Sequence, residues 1–137
     1  MNNNIIYNEL IEKQLDNILT NKLSATDIFR ISNKLNNSIF TNNCVIYNGT
    51  HYKKNNNYYI PFYYNYKKIS LTRILFINYI ESINSNIHIK YTCPNKGLCC
   101  CLNHMMLSSS TNYRNVYNIS TPRNIVNNSN NIIVTFN

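Results

Sequence analysis

Apolar residues recur at three- and four-residue steps near the start of the chain: Ile6, Leu10, Ile11, Leu15, Ile18, Leu19 and Leu23. That period gathers them on one face and predicts a helix over residues 5–23. A second helix is predicted from about Ala25 to Asn36. Ser24 and Asp27 have capping-box spacing at its start, and Ile28, Ile31 and Leu35 form its buried stripe. The pattern then changes. Cys44 to Asn48 reads as a strand ending at Gly49, and Lys53 to Asn57 as a polar loop. Tyr58 to Tyr64 is aromatic and β-favouring, with Pro61 making it an edge or interrupted strand. Asn65 to Lys68 reads as a turn. Ser70 is placed to cap a third helix from Leu71 to about Ser82, with Leu71, Ile74, Leu75 and Tyr79 or Ile80 inward. Ile87 to Thr92 alternates apolar and polar like a half-buried strand. A cysteine-rich loop and a polar stretch to about Asn131 follow, and Ile132 to Phe136 could close the fold as a strand.

These elements predict an α+β protein in three parts. Residues 1–40 form an N-terminal helical segment, 41–120 a small domain built on the cysteine-rich loop, and 121–137 a tail or closing strand. Two short helices in succession also suggest a helix-turn-helix. The second helix offers only Arg30 and Lys34 as basic residues, which favours a helical hairpin packing on the rest or docking a protein partner or second copy.

Composition narrows the class. The 137 residues suit one domain, and 44% hydrophobic content is enough to fold. No apolar run approaches the ~20 residues that span a bilayer, and the Met1-Asn2-Asn3-Asn4 start lacks a signal peptide's features. An intracellular place (cytoplasm, nucleus or viral factory) is therefore expected, without secretion or a membrane partner. Thirty Asn and 12 Tyr, against one Ala, two Gly and no Trp, favour residues with AT-rich codons. Such bias fits a large virus, a protist, an organelle or a mobile element. The net charge is +8, unevenly placed. Four of the five acids, Glu9, Glu12, Asp16 and Asp27, precede residue 28, and Glu81 is the only later one. The remainder is a strongly basic body, which attracts polyanions such as nucleic acid.

The cysteines carry the most specific chemistry. Cys44, Cys93, Cys99, Cys100 and Cys101 are five, an odd number that disfavours a disulfide framework. Four crowd together just before His104. Thiolate and imidazole are the usual tetrahedral ligands of zinc. A loop presenting Cys93, His104 and one of Cys99, Cys100 or Cys101 supplies three corners, and Cys44 can supply the fourth. Four protein ligands leave no open position, so such a zinc would be structural. The chemistry alone does not choose among the three adjacent cysteines.

From Cys44 to about Asn115, half of the chain, these residues resemble the His-Me finger (HNH-like) homing endonucleases with a zinc-binding loop. The family pattern is a Cys before the first strand, a Gly-Tyr-Gly strand, a His-Arg helix start, then His-x-Cys-x-Asn-x-x-Cys-x-Asn-Pro-x-His-Leu. Cys44 stands at the first Cys, Tyr58-Tyr59-Ile60 at the strand, and Thr72-Arg73 at His-Arg. Cys93-Pro94-Asn95 matches Cys-x-Asn, and Cys99 to Met105 keeps the remaining spacing with Cys101 and Leu102 in place of Asn-Pro. One extra residue lies between Cys93 and Cys99. The resemblance implies a zinc-stabilised ββα-metal fold and the ligand set Cys44, Cys93, Cys99 and His104.

The resemblance also implies a mechanism. A His two residues before the first loop Cys acts as general base, and an Asn on the following helix holds a Mg²⁺-type ion that stabilises the leaving oxygen. Here the base position holds Tyr91, whose phenol, with an ordinary pKa near ~10, is a poor base. His88 is a weaker alternative, because alternation puts it on the opposite face with Lys90 and Thr92. His51 lies in a loop without an evident partner. Asn112, rather than Asn115, is the candidate Mg²⁺ ligand, and Arg73 could contact a phosphate. Lys53, Lys54, Lys67, Lys68, Lys90, Lys96, Arg114 and Arg123 would extend a DNA-facing surface, and Tyr58, Tyr59, Tyr63, Tyr64 and Tyr66 could stack on bases or build the core.

The expectation is therefore a zinc-stabilised nucleic-acid-binding protein, with DNA as partner, whose nuclease chemistry is weakened. The alternatives are an active Mg²⁺-dependent endonuclease and a packaging protein using the zinc fold as scaffold.

Overall fold

Ser24 opens its helix as its spacing predicts. In a computed structural model, which describes residues 3–108, the Ser24 hydroxyl accepts from the Asp27 amide at 3.1 Å. The Asp27 carboxylate accepts from the Ser24 amide at 3.0 Å. This box starts helix α2 (Ala25–Ser32), which buries Ile28 and Ile31. Helix α1 (Asn3–Lys13) precedes it and buries Ile6 and Leu10.

The predicted helix over 5–23 stops at Lys13, because the chain beyond it is captured by a buried side chain. Asn78 accepts from Gln14 Nε2 at 2.8 Å and from the Leu23 amide at 2.9 Å. It donates to the carbonyls of Asn21 at 2.9 Å and Ile74 at 2.8 Å. The Leu15 amide bonds the Asn78 carbonyl as well. Residues 14–23 thus form a loop, and Leu19 points outward, 87% exposed.

Among the described residues, six short strands follow in antiparallel pairs: β1 (Tyr52–Lys54) with β2 (Asn57–Tyr59), β3 (Pro61–Tyr64) with β4 (Lys67–Ser70), and β5 (Ile89–Tyr91) with β6 (Met105–Leu107). The expected loop at 53–57 is instead the β1–β2 hairpin, its turn opened by Asn55 at φ 58°. Asn tolerates that left-handed geometry better than most residues. The expected strand at 44–48 is reduced to a single bridge, Ile46 to Cys99. Strand β6 falls inside what reads as a polar stretch. Ile132 to Phe136 lies outside the described residues.

Helix α3 (Leu71–Tyr79) runs through the middle of the molecule and is buried all round except at Arg73. It ends earlier than the predicted Ser82. The hydroxyl of Tyr79 bonds the Leu10 carbonyl at 3.0 Å, and its ring meets Phe40 edge-on at 5.6 Å. One hydrophobic cluster runs from Ile6 and Leu10 through Ile28, Ile31 and Phe76 to Cys99, Leu102 and Met105. The protein is α+β, built of helices and small strand pairs around that core. No helix among the described residues is long and apolar enough to cross a membrane.

Candidate metal centre

Cys44 reaches the cysteine-rich loop through backbone pairing. The Cys100 amide bonds the Val45 carbonyl at 2.7 Å, and the Tyr47 amide bonds the Leu98 carbonyl at 3.2 Å. The preceding segment clamps the other end of the loop. The Leu102 amide bonds the Ile39 carbonyl at 2.9 Å, and Asn103 Nδ2 donates to the Thr41 carbonyl at 3.0 Å. A short 3-10 turn, Leu102–His104, then swings the imidazole back. The Thr92 amide bonds the His104 carbonyl at 2.9 Å and brings in Cys93.

The ligand atoms of Cys44, Cys93, Cys99 and His104 all lie within 4.8 Å of one another. His104 Nδ1 is 3.6 Å from Cys44 Sγ and 3.5 Å from Cys99 Sγ. A regular zinc tetrahedron has S···N edges of about 3.5 Å, from Zn–S near ~2.3 Å and Zn–N near ~2.0 Å. The set can therefore hold one metal ion, and its three sulfurs and one nitrogen are consistent with a structural zinc.

Groups around the cluster favour the metal-bound form. His104 Nε2 lies 3.0 Å from the Asn42 carbonyl. A carbonyl only accepts, so Nε2 carries the proton and Nδ1 is free to bind a metal. Cys99 Sγ accepts from the amides of Val45 at 3.3 Å and Cys101 at 3.4 Å, and Asn95 Nδ2 donates to Cys44 Sγ at 3.4 Å. Such donors offset the charge of thiolates. Without a cation the Cys93 and Cys99 thiols resist ionising. Burial, with the neighbouring Cys99 and Cys44 sulfurs, pushes the Cys93 thiol up to about 12. A hydrogen bond that the Cys99 thiol donates to Cys101, together with burial, raises Cys99. A divalent cation removes that penalty.

The neighbouring cysteines have other roles. Cys100 is wholly buried in the core and burial raises its thiol, while Cys101 Sγ donates to the Thr41 carbonyl at 2.9 Å. Gly97 adopts φ +88°, and a Cβ there would fall on the Tyr58 carbonyl. It lets the metal loop lie against β2, where the Tyr58 amide bonds the Lys96 carbonyl at 2.8 Å. Nothing in the local sequence marked Gly97 or Asn42. Asn95, within Cys-x-Asn, was marked.

Tyr91 and Arg73, implied in catalysis, hydrogen-bond groups outside the ligand set. The Tyr91 hydroxyl lies 2.7 Å from Thr72 Oγ1, which is 3.1 Å from Ser70 Oγ. Burial raises the Tyr91 phenol above its ordinary value. His88, Lys90 and Thr92 are exposed, whereas Ile87, Ile89 and Tyr91 are half-buried, so the strand alternates as predicted. Arg73 directs its guanidinium to the carbonyls of Ile87, at 2.6 Å, and Asn84. His51 has a partner after all, the Gly49 carbonyl at 2.8 Å. Tyr64 donates to the Lys22 carbonyl at 2.7 Å, and Tyr66 is fully exposed. Asn112, Asn115, Arg114 and Arg123 lie outside the described residues.

No family model matches the chain, and no solved structure matches it. It is similar to an uncharacterized protein of Acanthamoeba polyphaga mimivirus, with 40% identity over 108 residues. The match takes in 75% of this chain and 32% of that viral protein. A viral relative agrees with the AT-rich codon bias.

Proposed function

We propose that this chain is a zinc-stabilised, DNA-binding protein related to the His-Me finger homing endonucleases, with weakened hydrolytic chemistry. The observation that carries the reading is the cluster of Cys44, Cys93, Cys99 and His104, which are the residues the family pattern selects. Zinc held there would tie residues 39–46 to residues 91–104 and supply folding energy, with no position open for substrate. Strands β5 and β6 frame the metal loop, in keeping with the two strands of a ββα-metal motif. The third piece, the helix that would carry Asn112, lies outside the described residues.

Loss of chemistry is inferred from the base position. Tyr91 is half-buried, bonded to Thr72 and raised above its ordinary value, so its phenol is neutral at pH 7. Arg73 spends its guanidinium on backbone carbonyls instead of offering it whole to a phosphate. Nucleic acid as partner is supported by the net charge of +8 and its concentration after residue 27.

Zinc-loaded protein and a Tyr91→His variant, incubated with supercoiled plasmid and Mg²⁺ or Mn²⁺, test the reading. Binding without nicking by the wild type, and divalent-dependent nicking by Tyr91→His, are expected. Nicking by the wild type would overturn the weakened chemistry. Absence of binding at physiological salt would overturn the nucleic-acid partner and direct attention to the N-terminal helices as a protein dock.

A further inference from the structure

A cleft of about 460 Å³ opens between the end of α2 and the β3–β4 hairpin, away from the metal ligands. Three cations line it: Arg30, Lys34 and Lys68. Tyr47, Tyr52, Phe62 and Tyr63 supply its aromatic surface. We infer that this cleft seats one nucleotide unit of a single strand, with its phosphate on the cations and its base on an exposed tyrosine. The inference rests on the nucleic-acid reading above but requires neither zinc chemistry nor nuclease ancestry.

The cleft is built rather than incidental. Arg30 is fixed from three sides. Its Nη2 bonds Asp27 at 2.8 Å and the Tyr63 carbonyl at 2.9 Å, and its guanidinium lies 4.5 Å over the Phe62 ring. A cation held this way loses little freedom when it meets an anion. The Lys34 carbonyl accepts from the Asn48 amide at 2.8 Å, which fixes the segment bearing Tyr47 and Thr50 beside the end of α2. Tyr63 and Lys68 face each other across the β3–β4 pair, with the ammonium 5.6 Å over the ring.

Charge selects the ligand's sign. Asp27 is already paired with Arg30, and Lys34 and Lys68 have no carboxylate partner among the described residues. The lining therefore carries uncompensated positive charge, which an anion would balance. Shape and exposure select the rest of the ligand. Tyr52 is 54% and Tyr63 61% exposed, so both leave ring surface open to solvent. An aromatic base can cover such a face, and it can do so only when it is free of its own stack. Paired bases inside a duplex are not free in this sense, which favours a single strand.

The test uses the full zinc-loaded chain and fluorescence anisotropy at several salt concentrations. The probes are a 15-nucleotide single-stranded DNA, the same sequence as duplex, and adenosine monophosphate. The variants are Lys34→Gln with Lys68→Gln, Tyr63→Ala, and a charge-matched pair outside the cleft, Lys13→Gln with Lys22→Gln. All the substituted side chains are exposed, and circular dichroism verifies folding.

The expected result is tighter binding of the single strand than of the duplex. The cleft lysine pair should weaken it at least tenfold and reduce the log–log salt slope by about 0.7, the value for one lost phosphate contact. Tyr63→Ala should weaken it roughly fivefold or more. The Lys13/Lys22 pair should change it less than threefold. Saturable binding of the mononucleotide, lost in the same variants, would identify a free nucleotide as the occupant, whereas response to the oligomer alone would identify a strand. Cleft variants that bind like wild type, or a preference for duplex, would overturn the inference while leaving the nucleic-acid reading standing. A wild type that binds no probe would overturn both.

Discussion

Asp27 holds several partners at one point of the chain. Its carboxylate accepts from the Ser24 amide and the Arg30 guanidinium, while its own amide donates to the Ser24 hydroxyl. Burial alone would raise its pKa, but the bonds from Arg30 and Ser24 outweigh burial and hold it below the ordinary 3.8. A depressed carboxylate contributes stability that is fully present above its unfolded value and is lost as pH falls through the lower folded value. Asp27→Asn should therefore cost about 1 kcal/mol at pH 7 and flatten stability loss below pH ~4, in urea melts run from pH 2 to 7. This residue was legible in the sequence because its partners lie within three positions. The metal ligands were legible for a different reason, since few arrangements other than a metal site crowd thiols beside a histidine. The choice of Cys99 over its neighbours came only from family spacing. Its physical basis is the extended backbone, which turns Cys100 into the core, and the Thr41 carbonyl, which engages Cys101.

At the level of elements, a turn was expected at Asn65 to Lys68, but Lys67 and Lys68 already belong to β4, and neither hairpin was expected. Asn65 and Tyr66 form the β3–β4 turn with φ of 51° and 67°, the two positive values that a type I′ turn requires. Asn suits the first position, but Tyr at the second is strained, and Tyr66 makes no compensating burial. Tyr66→Gly should raise stability by about 0.5–1 kcal/mol, read as a higher urea midpoint at unchanged slope. The β1–β2 hairpin was missed because Lys-Lys-Asn-Asn-Asn has neither apolar alternation nor glycine. In a chain with 30 Asn, a turn-forming Asn carries little signal. The first helix was drawn too long for the opposite reason. Its apolar period continues to Leu23, and what breaks it is Asn78, 55 residues away.

For the whole molecule, the central problem is that no described strand pair joins another into a larger sheet. Isolated two-stranded pairs are marginal in water, so the fold depends on the buried α3 and its polar clamp, and a metal at the cysteine–histidine cluster would add to them. Asn78 is fully buried and has all four of its hydrogen-bonding positions filled. Asn78→Leu would strand the Leu23 amide and the Asn21 carbonyl. It should cost about 3 kcal/mol and lower Tm by roughly 10 °C or more, with zinc kept saturating in calorimetry. The α+β class could be read from the alternating periods along the chain. The joining of both segments in one core could not, because it depends on contacts distant in sequence.

The most direct test of the metal centre is zinc stoichiometry by native mass spectrometry on the wild type, Cys99→Ser and Cys101→Ser. One zinc per chain in the wild type and in Cys101→Ser, with loss of zinc and of cooperative unfolding in Cys99→Ser, is predicted. A wild type without zinc, or zinc lost from Cys101→Ser and kept by Cys99→Ser, would contradict the assignment of Cys44, Cys93, Cys99 and His104.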